Sequence, residues 1–282
     1  MAAKVSGKLV LCATPIGNLE DTSRRLLRTL EEADVVACED VRRARKLLTH
    51  HGISARDLVL YNEGNERRRA EALVRRIGAG ATVALVSDAG MPGLSDPGYR
   101  LVRACVEADL AVEVVPGPTA SVSALVVSGL PPGRFVFEGF LPRKPGDRER
   151  RIAELASEAR TMVFYASPHR LEETLADLLK GLGDRPAALV RELTKLHEEV
   201  RRGPLSELLE AVRETPARGE LVLVVGGAIG VHKPQADPAE LARRARRLMD
   251  EGLDRREALV RVARGAGVPK RVVFDALLQP HD

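Results

Sequence analysis

Three loops rich in proline and glycine carry most of the residues whose types and spacing could do chemistry. The longest follows the apolar run Val83 to Val86 and reads SDAGMPGLSDPG from Ser87 to Gly98. The other two are Thr14 to Asn18 and Pro116 to Ala120. In an open parallel sheet, ligands bind outside the carboxyl ends of the strands, where glycine lets backbone amides come close and proline fixes the path. We therefore expect these loops to line one cleft that suits a flat, mostly neutral nucleoside.

Several familiar chemistries have no motif in this chain. The phosphate-binding loop G-x-x-x-x-G-K-[ST] is missing, and no G-x-G-x-x-G follows the first apolar run. The chain also lacks a G-x-S-x-G elbow and an H-E-x-x-H zinc motif. These absences disfavour four classes of enzyme: P-loop nucleoside triphosphatases, enzymes with the usual dinucleotide-binding fingerprint, serine hydrolases with the G-x-S-x-G elbow, and zinc proteases.

The long loop also has a purely structural interpretation. Asp96 is a residue type that caps helices, and Pro97 is favoured in a first helical turn. The following residues Tyr99, Leu101 and Val102 fit a helix. We expect Asp96 to cap that helix, whether or not the loop also binds a ligand.

Composition describes an ordinary globular protein. The chain has 282 residues, of which 44% are hydrophobic and 30% charged, with a formal net charge of +4. No apolar run approaches the roughly 20 residues that span a bilayer, and no signal-peptide core is visible, so we expect a cytoplasmic protein. Cys12, Cys38 and Cys105 lie far apart in apolar segments, which predicts core residues and no metal site.

Apolar runs alternate with helical patterns along most of the chain, which predicts an α/β fold of two three-layer domains. The linker Ser128 to Gly133, with two prolines and two glycines, marks the boundary between them. The predicted domains are 1–130 and 131–230, the second with antiparallel pairing between Arg191 and Arg202. A helical tail is predicted over 237–282, and its turn at Gly265 to Gly267 resembles that of a helix-turn-helix. A helical cap or a dimer arm is an equally good interpretation of this tail.

Eight motifs in fixed order identify a resemblance. They are TPIGNL (14–19), CED-V-R (38–42), LVSDAGMPGLSDPGYRLV (85–102), VVPGPTA (114–120), SGLP (128–131), FEGFLPRK (137–144), FYASPHRL (164–171) and RELTK (191–195). Together they resemble the ribosomal RNA small subunit methyltransferase I family, within the tetrapyrrole methylase superfamily, over about residues 8–226. The resemblance implies S-adenosylmethionine as methyl donor, a cofactor cleft between two α/β domains, and a homodimer. The reaction it implies is 2'-O-methylation of a cytidine ribose in the decoding region of 16S rRNA, on the 30S small ribosomal subunit.

The resemblance also assigns the cofactor-binding positions, with no metal. Ser87 to Gly90 match the loop that cradles the cofactor, and Pro116 to Ala120 match the segment that closes over it. Pro15 and Gly17 match the family's first loop and would face the substrate side. The full set is Pro15, Gly17, Ser87, Asp88, Ala89, Gly90, Pro92, Asp96, Pro116, Gly117, Pro118, Thr119 and Ala120.

Two positions depart from the family pattern. The family usually has threonine where this chain has Val41, and glutamate where this chain has Ala166. Methyl transfer needs the ribose oxygen, the methyl carbon and the sulfur in line, so positioning should supply most of the acceleration. The catalytic candidates are Glu39, Asp40, Arg42 and Lys195, and Glu63 and His197 are further candidates for the base. Each of these side chains is equally interpretable as an ordinary ion-paired or solvated residue.

A basic segment follows the FEGFLP motif and is the preferred site for RNA phosphates. Residues 142–151 hold five basic and two acidic side chains. The predicted RNA-binding residues are Arg143, Lys144, Arg148, His169 and Arg170. Two other functions remain open at this stage: a C-methyltransferase that acts on a tetrapyrrole, and an RNA-binding protein without catalysis.

Overall fold

The structure, a computed structural model, describes residues 7–228, 238–266 and 268–278. These residues form two compact units. The first holds both β-sheets, and the second holds 157–159 and the described residues from 228 onward. Because both sheets belong to one unit, a division into two α/β domains near residue 130 stays a prediction.

The first sheet contains five strands that all run parallel, in the order β3-β2-β4-β1-β5. The strands are rich in valine, leucine and alanine, as expected for strands buried on both faces. They are β1 (Lys8–Cys12), β2 (Val35–Cys38), β3 (Leu58–Leu60), β4 (Thr82–Val86) and β5 (Ala111–Val115). The helices between them are α1 (Arg24–Glu32), α2 (Val41–His50), α3 (Glu66–Gly78) and α4 (Tyr99–Glu107).

Helices cover both faces of this sheet, which confirms the predicted three layers. On one face, Leu26 of α1 and Leu48 of α2 pack on Val36. On the other face, Leu73 of α3 and Leu101 of α4 pack on other residues of the same strands. Cys12, Cys38 and Cys105 are buried within these cores, as predicted.

The second sheet has the order β6-β7-β10-β8-β9, and only β6 and β7 run parallel. The antiparallel pair β8 and β9 confirms the pairing predicted between Arg191 and Arg202. The strands are β6 (Phe135–Phe140), β7 (Thr161–Ala166), β8 (Pro186–Arg191), β9 (Glu199–Pro204) and β10 (Leu221–Val225). Helices α6 (Pro145–Leu155), α7 (Leu171–Leu182) and α8 (Leu205–Glu214) cover one face.

The other face of the second sheet is covered by α5 (Ala120–Ser128), which follows the last strand of the first sheet. Its residues Ala124 and Leu125 pack on Val163, Val190 and Val224. Nearly every side chain of α5 is small or apolar, so the helix can lie close to a sheet. This helix therefore ties the carboxyl edge of the first sheet to the second sheet.

The second unit is built from α9 (Pro238–Asp250), α10 (Arg255–Ala266) and α11 (Lys270–Leu278). Its own small core contains Leu241, Leu259, Val262 and Val273. Gly265 and Ala266 were predicted to lie in a turn but end α10; Gly267 lies outside the described residues. None of the described helices is long and apolar enough to span a membrane.

The predicted cap at Asp96 is wrong. Helix α4 begins at Tyr99 and its N-cap is Gly98, with φ of 153° and no side-chain cap. The chain makes a close turn here, because a Cβ on Gly98 would lie 3.0 Å from the backbone nitrogen of Gly93. Glycine is needed at that approach, and Asp96 is left free to face the cavity described below.

Helix α6 begins at Pro145 and buries Arg148. The Arg148 side chain is only 2% exposed, and its guanidinium lies 2.6 Å from Asp177 and 2.5 Å from Glu173 of α7. An arginine enclosed in this way cannot contact a phosphate. The structure therefore removes Arg148 from the predicted RNA-binding residues and makes it a link between two helices.

We expect Arg148→Ala to lower the free energy of unfolding by about 2–4 kcal/mol, because it leaves Asp177 and Glu173 without their buried cation. Urea unfolding followed by circular dichroism measures the effect. Arg150→Ala, on the same helix but in an exposed pair with Asp147, is the matched control and should change stability little. Equal stability of the two variants would contradict this role for Arg148.

Candidate functional site

Two loops of the first sheet are held together by a pair of backbone hydrogen bonds. The amide of Thr14 donates to the carbonyl of Gly90 at 2.9 Å, and the amide of Gly90 donates to the carbonyl of Thr14 at 3.1 Å. The Ser87 hydroxyl donates to the carbonyl of Gly90 at 3.1 Å. Gly90 has a φ of 80°, which favours glycine at this position. The loops after β1 and β4 therefore form one backbone surface.

The loop after β5 joins them through another close approach. The amide of Ala13 donates to the carbonyl of Val115 at 3.1 Å. A Cβ on Gly117 would lie 2.9 Å from the Cβ of Ala13, so only glycine fits without displacement. The three loops that the sequence placed at one edge do meet there, and a cavity opens on each side of them.

The first cavity, of about 320 Å³, lies at the carboxyl ends of β1, β2 and β4. Its apolar floor consists of Leu30, Val36, Leu47 and Leu48. The remaining lining includes eight polar or charged residues. They are Thr14, Asp40, Arg43, Lys46, Ser87, Asp88, Lys195 and Glu220.

The second cavity, of about 400 Å³, lies between the loops of the first sheet and one end of the second. The first sheet contributes Ala89 to Met91, Leu94 to Asp96, Thr119 and Ala120. The second sheet contributes Phe140, Tyr165 to Pro168, Val190, Leu193 and Gly219 to Val222. Its walls are mainly apolar with few polar groups, which is the composition of small-molecule sites.

The two cavities share a wall. Ile16, Ala89 and Glu220 line both of them. The Glu220 carboxylate lies 3.1 Å from the ammonium group of Lys195, which itself borders the first cavity. A molecule in one cavity would therefore lie next to a molecule in the other, with Glu220 at the boundary and Lys195 on the side of the first cavity.

Asp40 and Asp88 shape the rim of the first cavity. The Asp40 carboxylate accepts from the amides of Arg42 and Arg43 and caps α2, and these bonds hold its pKa below the usual range. The Asp88 carboxylate accepts from the amide of Asp40 at 3.1 Å and pairs with Arg43 at 3.4 Å. Burial raises the pKa of Asp88 even though Arg43 opposes this. Asp40 is thus engaged by backbone amides, which does not suit a proton acceptor.

Burial also raises the pKa of two further carboxyl groups near the shared wall. The pKa of Glu39 is raised by burial and by the charge of Asp88. The pKa of Asp96 is raised to about 7 by burial and by the charges of Glu39 and Asp88, although a hydrogen bond from Ser87 opposes the shift. Asp96 faces the second cavity. Carboxyl groups therefore lie close together here at a cost to their ionised forms, and a cation bound beside them would favour ionisation.

Lys195 is held between two carboxylates. Its ammonium lies 2.9 Å from Glu192 and 3.1 Å from Glu220. Burial disfavours the charged form, but the hydrogen bonds to Glu192 and Glu220 outweigh it and raise the pKa of Lys195. A protonated lysine does not accept a proton, so Lys195 fits the role of a fixed positive charge.

The predicted cofactor positions divide between the two cavities. Pro15, Gly17, Ser87 and Asp88 line only the first cavity, and Ala89 lines both. Gly90, Asp96, Thr119 and Ala120 line only the second. Four positions line neither cavity and shape the loops instead: Pro92, Pro116, Gly117 and Pro118.

The other predicted residues lie further out. Arg42 has a side chain that is 92% exposed and borders neither cavity. Arg143, Lys144, His169 and His197 are exposed. Arg170 donates to the carbonyl of Pro142 at 3.0 Å and so holds the segment that carries Arg143.

Several cavity residues were missed by sequence reasoning. Tyr165 lies within the FYASPHRL motif, and its ring packs against Phe140 and Phe137 with centroids 5.4 and 5.1 Å away. Arg43 and Lys46 follow the CED motif on α2. Glu220 carries no local signal, because only the pairing of β10 with its neighbours brings it to the shared wall.

Comparison with known proteins gives a consistent result. Residues 8–209 match the family model of Tetrapyrrole (Corrin/Porphyrin) Methylases. The Mycobacterium tuberculosis protein named Ribosomal RNA small subunit methyltransferase I is 47% identical over 278 residues, covering 97% of this chain and 95% of the relative. The Thermotoga maritima protein of the same name is 45% identical over 221 residues, covering 78% of this chain and 99% of that relative.

Solved structures share the fold. Uroporphyrin-III-C-methyltransferase from Thermus thermophilus is 26% identical with a TM-score of 0.54, and the match covers 78% of this chain and 94% of that one. A further structure of the Thermus thermophilus enzyme is described as complexed with S-adenyl homocysteine. It is 22% identical with a TM-score of 0.55, covering 78% of this chain and 97% of that one.

We expect Asp96→Asn to stabilise the protein at pH 8 by on the order of 1 kcal/mol or more. The folded protein holds the Asp96 proton up to a pKa of about 7, whereas the ordinary value is 3.8. Ionisation of Asp96 therefore destabilises the wild type as the pH rises between these values, and asparagine removes that loss.

Urea unfolding of both proteins at pH 4, 6 and 8 measures this effect, and the difference should shrink toward pH 4. Asp109→Asn, at an exposed aspartate, is the matched control. A stability difference for Asp96→Asn that is the same at all three pH values would contradict the assignment.

Proposed function

This chain belongs to the ribosomal RNA small subunit methyltransferase I family of the tetrapyrrole methylases, and from this premise we propose its reaction. Its methyl donor is S-adenosylmethionine, and its substrate is ribosomal RNA. The finer proposal is that it methylates the 2'-hydroxyl of a cytidine ribose in the decoding region of 16S rRNA. The observation that carries this proposal is the pair of cavities that share Ile16, Ala89 and Glu220.

The second cavity has the residues to bind S-adenosylmethionine. Its volume of about 400 Å³ falls in the usual range for such sites, about 300–1,000 Å³. Apolar side chains such as Leu94, Val190 and Leu193 offer walls for the flat adenine. Asp96 faces this cavity, and a cation such as the sulfonium would favour the ionised form of its carboxyl. These features support the second cavity as the donor site.

The first cavity suits the nucleoside that accepts the methyl group. Its apolar floor of Leu30, Val36 and Leu47 can pack on a base, and Arg43 and Lys46 at its rim can contact phosphates. A nucleotide in folded RNA must leave its stack for its base to enter such a pocket and bring the ribose with it. A pocket of about 320 Å³ next to the donor provides space for one such nucleoside.

The shared wall sets the geometry of transfer. When bound, S-adenosylmethionine supplies a methyl group whose bond to sulfur breaks as the bond to the acceptor oxygen forms. The chain's contribution is mainly alignment of the two molecules, which can supply a large part of the acceleration. The backbone bridge between Thr14 and Gly90 holds both sides of the wall in fixed register.

We assign Glu220 as the general base that removes the proton of the 2'-hydroxyl. It borders both cavities, whereas Asp40 is engaged by backbone amides and Lys195 is protonated. Lys195, 3.1 Å away, holds the carboxylate in place. Proton removal adds a modest factor to positioning, about 10²–10⁴ in general.

The assembled small subunit is the proposed partner, and a homodimer the proposed active form. The exposed side chains of Arg143, Lys144 and His169 lie on the segments that follow β6 and β7 and are the candidate RNA contacts in the first unit. In the described part of the chain, no group of side chains could hold a metal ion.

The decisive experiment measures transfer of labelled methyl from S-adenosylmethionine to unmodified 30S subunits and to free 16S rRNA. The product is mapped by cleavage that is sensitive to ribose methylation. We expect label on one cytidine ribose in the decoding region. Ala120→Leu, which fills part of the second cavity, is the matched control and should abolish both donor binding and transfer.

Two results would overturn the proposal. Label on a base would contradict ribose methylation while leaving RNA as the substrate. Transfer to a tetrapyrrole such as uroporphyrinogen III, with none to either RNA substrate, would contradict the RNA proposal itself.

We expect Glu220→Gln to lower kcat about 100-fold while the donor Kd, measured by calorimetry, stays within about 2-fold. Glutamine keeps the size of the side chain but cannot take the proton. Glu214→Gln, at an exposed glutamate of α8, should leave both values unchanged. An unchanged kcat for Glu220→Gln would exclude Glu220 as the base.

A further inference from the structure

The second unit presents a basic face on helix α10. Arg256, Arg261 and Arg264 are exposed and line a surface groove of about 560 Å³ with Val260. Their positions repeat at helical spacing, so they form one stripe along the outside of the helix. The opposite side of α10, with Leu259 and Val262, is buried in the core of the unit.

These three arginines differ from others in the same unit. In the described part of the chain, Arg256, Arg261 and Arg264 have no carboxylate within ion-pair distance. On α9, by contrast, Arg244 pairs with Glu240 and Arg247 pairs with Glu251. The guanidinium groups of the α10 stripe are therefore available to an external anion.

Two acidic residues, Asp254 and Glu257, share this groove with the three arginines. Asp254 accepts a hydrogen bond from the amide of Glu257 at 2.9 Å and so caps the start of α10. Basic residues still outnumber acidic ones, since the sequence from 254 to 278 has six basic residues and three acidic ones. An exposed valine among unpaired arginines suits the sugar-phosphate backbone of a nucleic acid, which offers both anionic oxygens and apolar ribose edges.

The relative from Thermotoga maritima shows that part of this chain is not shared by all family members. That protein is matched over 99% of its length by only 78% of this chain. The family model ends at residue 209, before residue 228, where the main part of the second unit begins. The part of this chain that has no counterpart in that relative is therefore about as long as the second unit together with the segment that leads to it.

We propose that the α10 stripe is a second contact for the RNA substrate, through its phosphates, and that it raises affinity without taking part in methyl transfer. This inference rests on the proposed function, since the bound RNA is the proposed substrate. A contact of this kind acts through counterion release, so its effect depends on salt and not on sequence.

The test compares two full-length variants that each lose two charges from the second unit. Arg261→Gln with Arg264→Gln removes stripe residues, and Arg244→Gln with Arg247→Gln removes paired ones. The substrate is whichever RNA the wild type methylates, so a failure of the proposed function would appear first as an inactive wild type. For each protein we measure kcat, the KM for RNA at several salt concentrations, the donor Kd and the sedimentation coefficient.

We expect the stripe variant to raise the KM for RNA about 10-fold at low salt and, because two phosphate contacts are lost, to flatten the log–log salt dependence of affinity by about 1.5. Its kcat and donor Kd should equal those of the wild type, and the paired-arginine variant should match the wild type throughout. An unchanged KM, an equal effect in both variants, or a fall in kcat would overturn the proposal. A change in sedimentation with unchanged RNA affinity would also overturn it, because the stripe would then be a protein interface.

Discussion

The candidate site depends on the reciprocal backbone hydrogen bonds between Thr14 and Gly90. They join the loops that leave two adjacent parallel strands, β1 and β4, and they place Ile16 and Ala89 in the wall between the two cavities. Backbone groups make this contact, so it is insensitive to most side-chain changes but requires a positive φ at Gly90. Two ligands held on either side of such a wall have little freedom to move apart, and that restriction is what in-line transfer needs.

Charge is distributed unevenly around this wall. Asp96, whose pKa is raised by burial and by the charges of Glu39 and Asp88, faces the cavity proposed for the donor. The cavity proposed for the nucleoside has charges of both signs, with Arg43 and Lys46 beside Asp88. Burial of like charges is unfavourable for the folded protein by itself, and a bound cation would relieve it.

Helix α5 explains how one site is assembled from two sheets. It follows the loop 116–119 at the edge of the first sheet and buries Ala124 and Leu125 on the second. The second cavity therefore has its first-sheet wall and its second-sheet wall joined by nine residues of helix. Glu220 and Tyr165 reach the cavity from strands of the second sheet that are held by this packing.

The sequence by itself determined the alternation of strands and helices, the family and the three loops that meet at the site. The apolar runs Val35 to Cys38 and Leu221 to Val225 coincide with β2 and β10, because burial on both faces leaves a clear local pattern. Only the tertiary structure decided what individual charged residues do. Arg148 lies in a basic segment but is enclosed by Asp177 and Glu173, which are 29 and 25 residues away. Asp96 faces a cavity and caps no helix, because the close approach of Gly93 and Gly98 ends the loop first. Glu220 borders both cavities only because β10 lies between β7 and β8. Local patterns report the neighbours of a residue within a turn or a strand, whereas burial and charge depend on segments that only folding brings together.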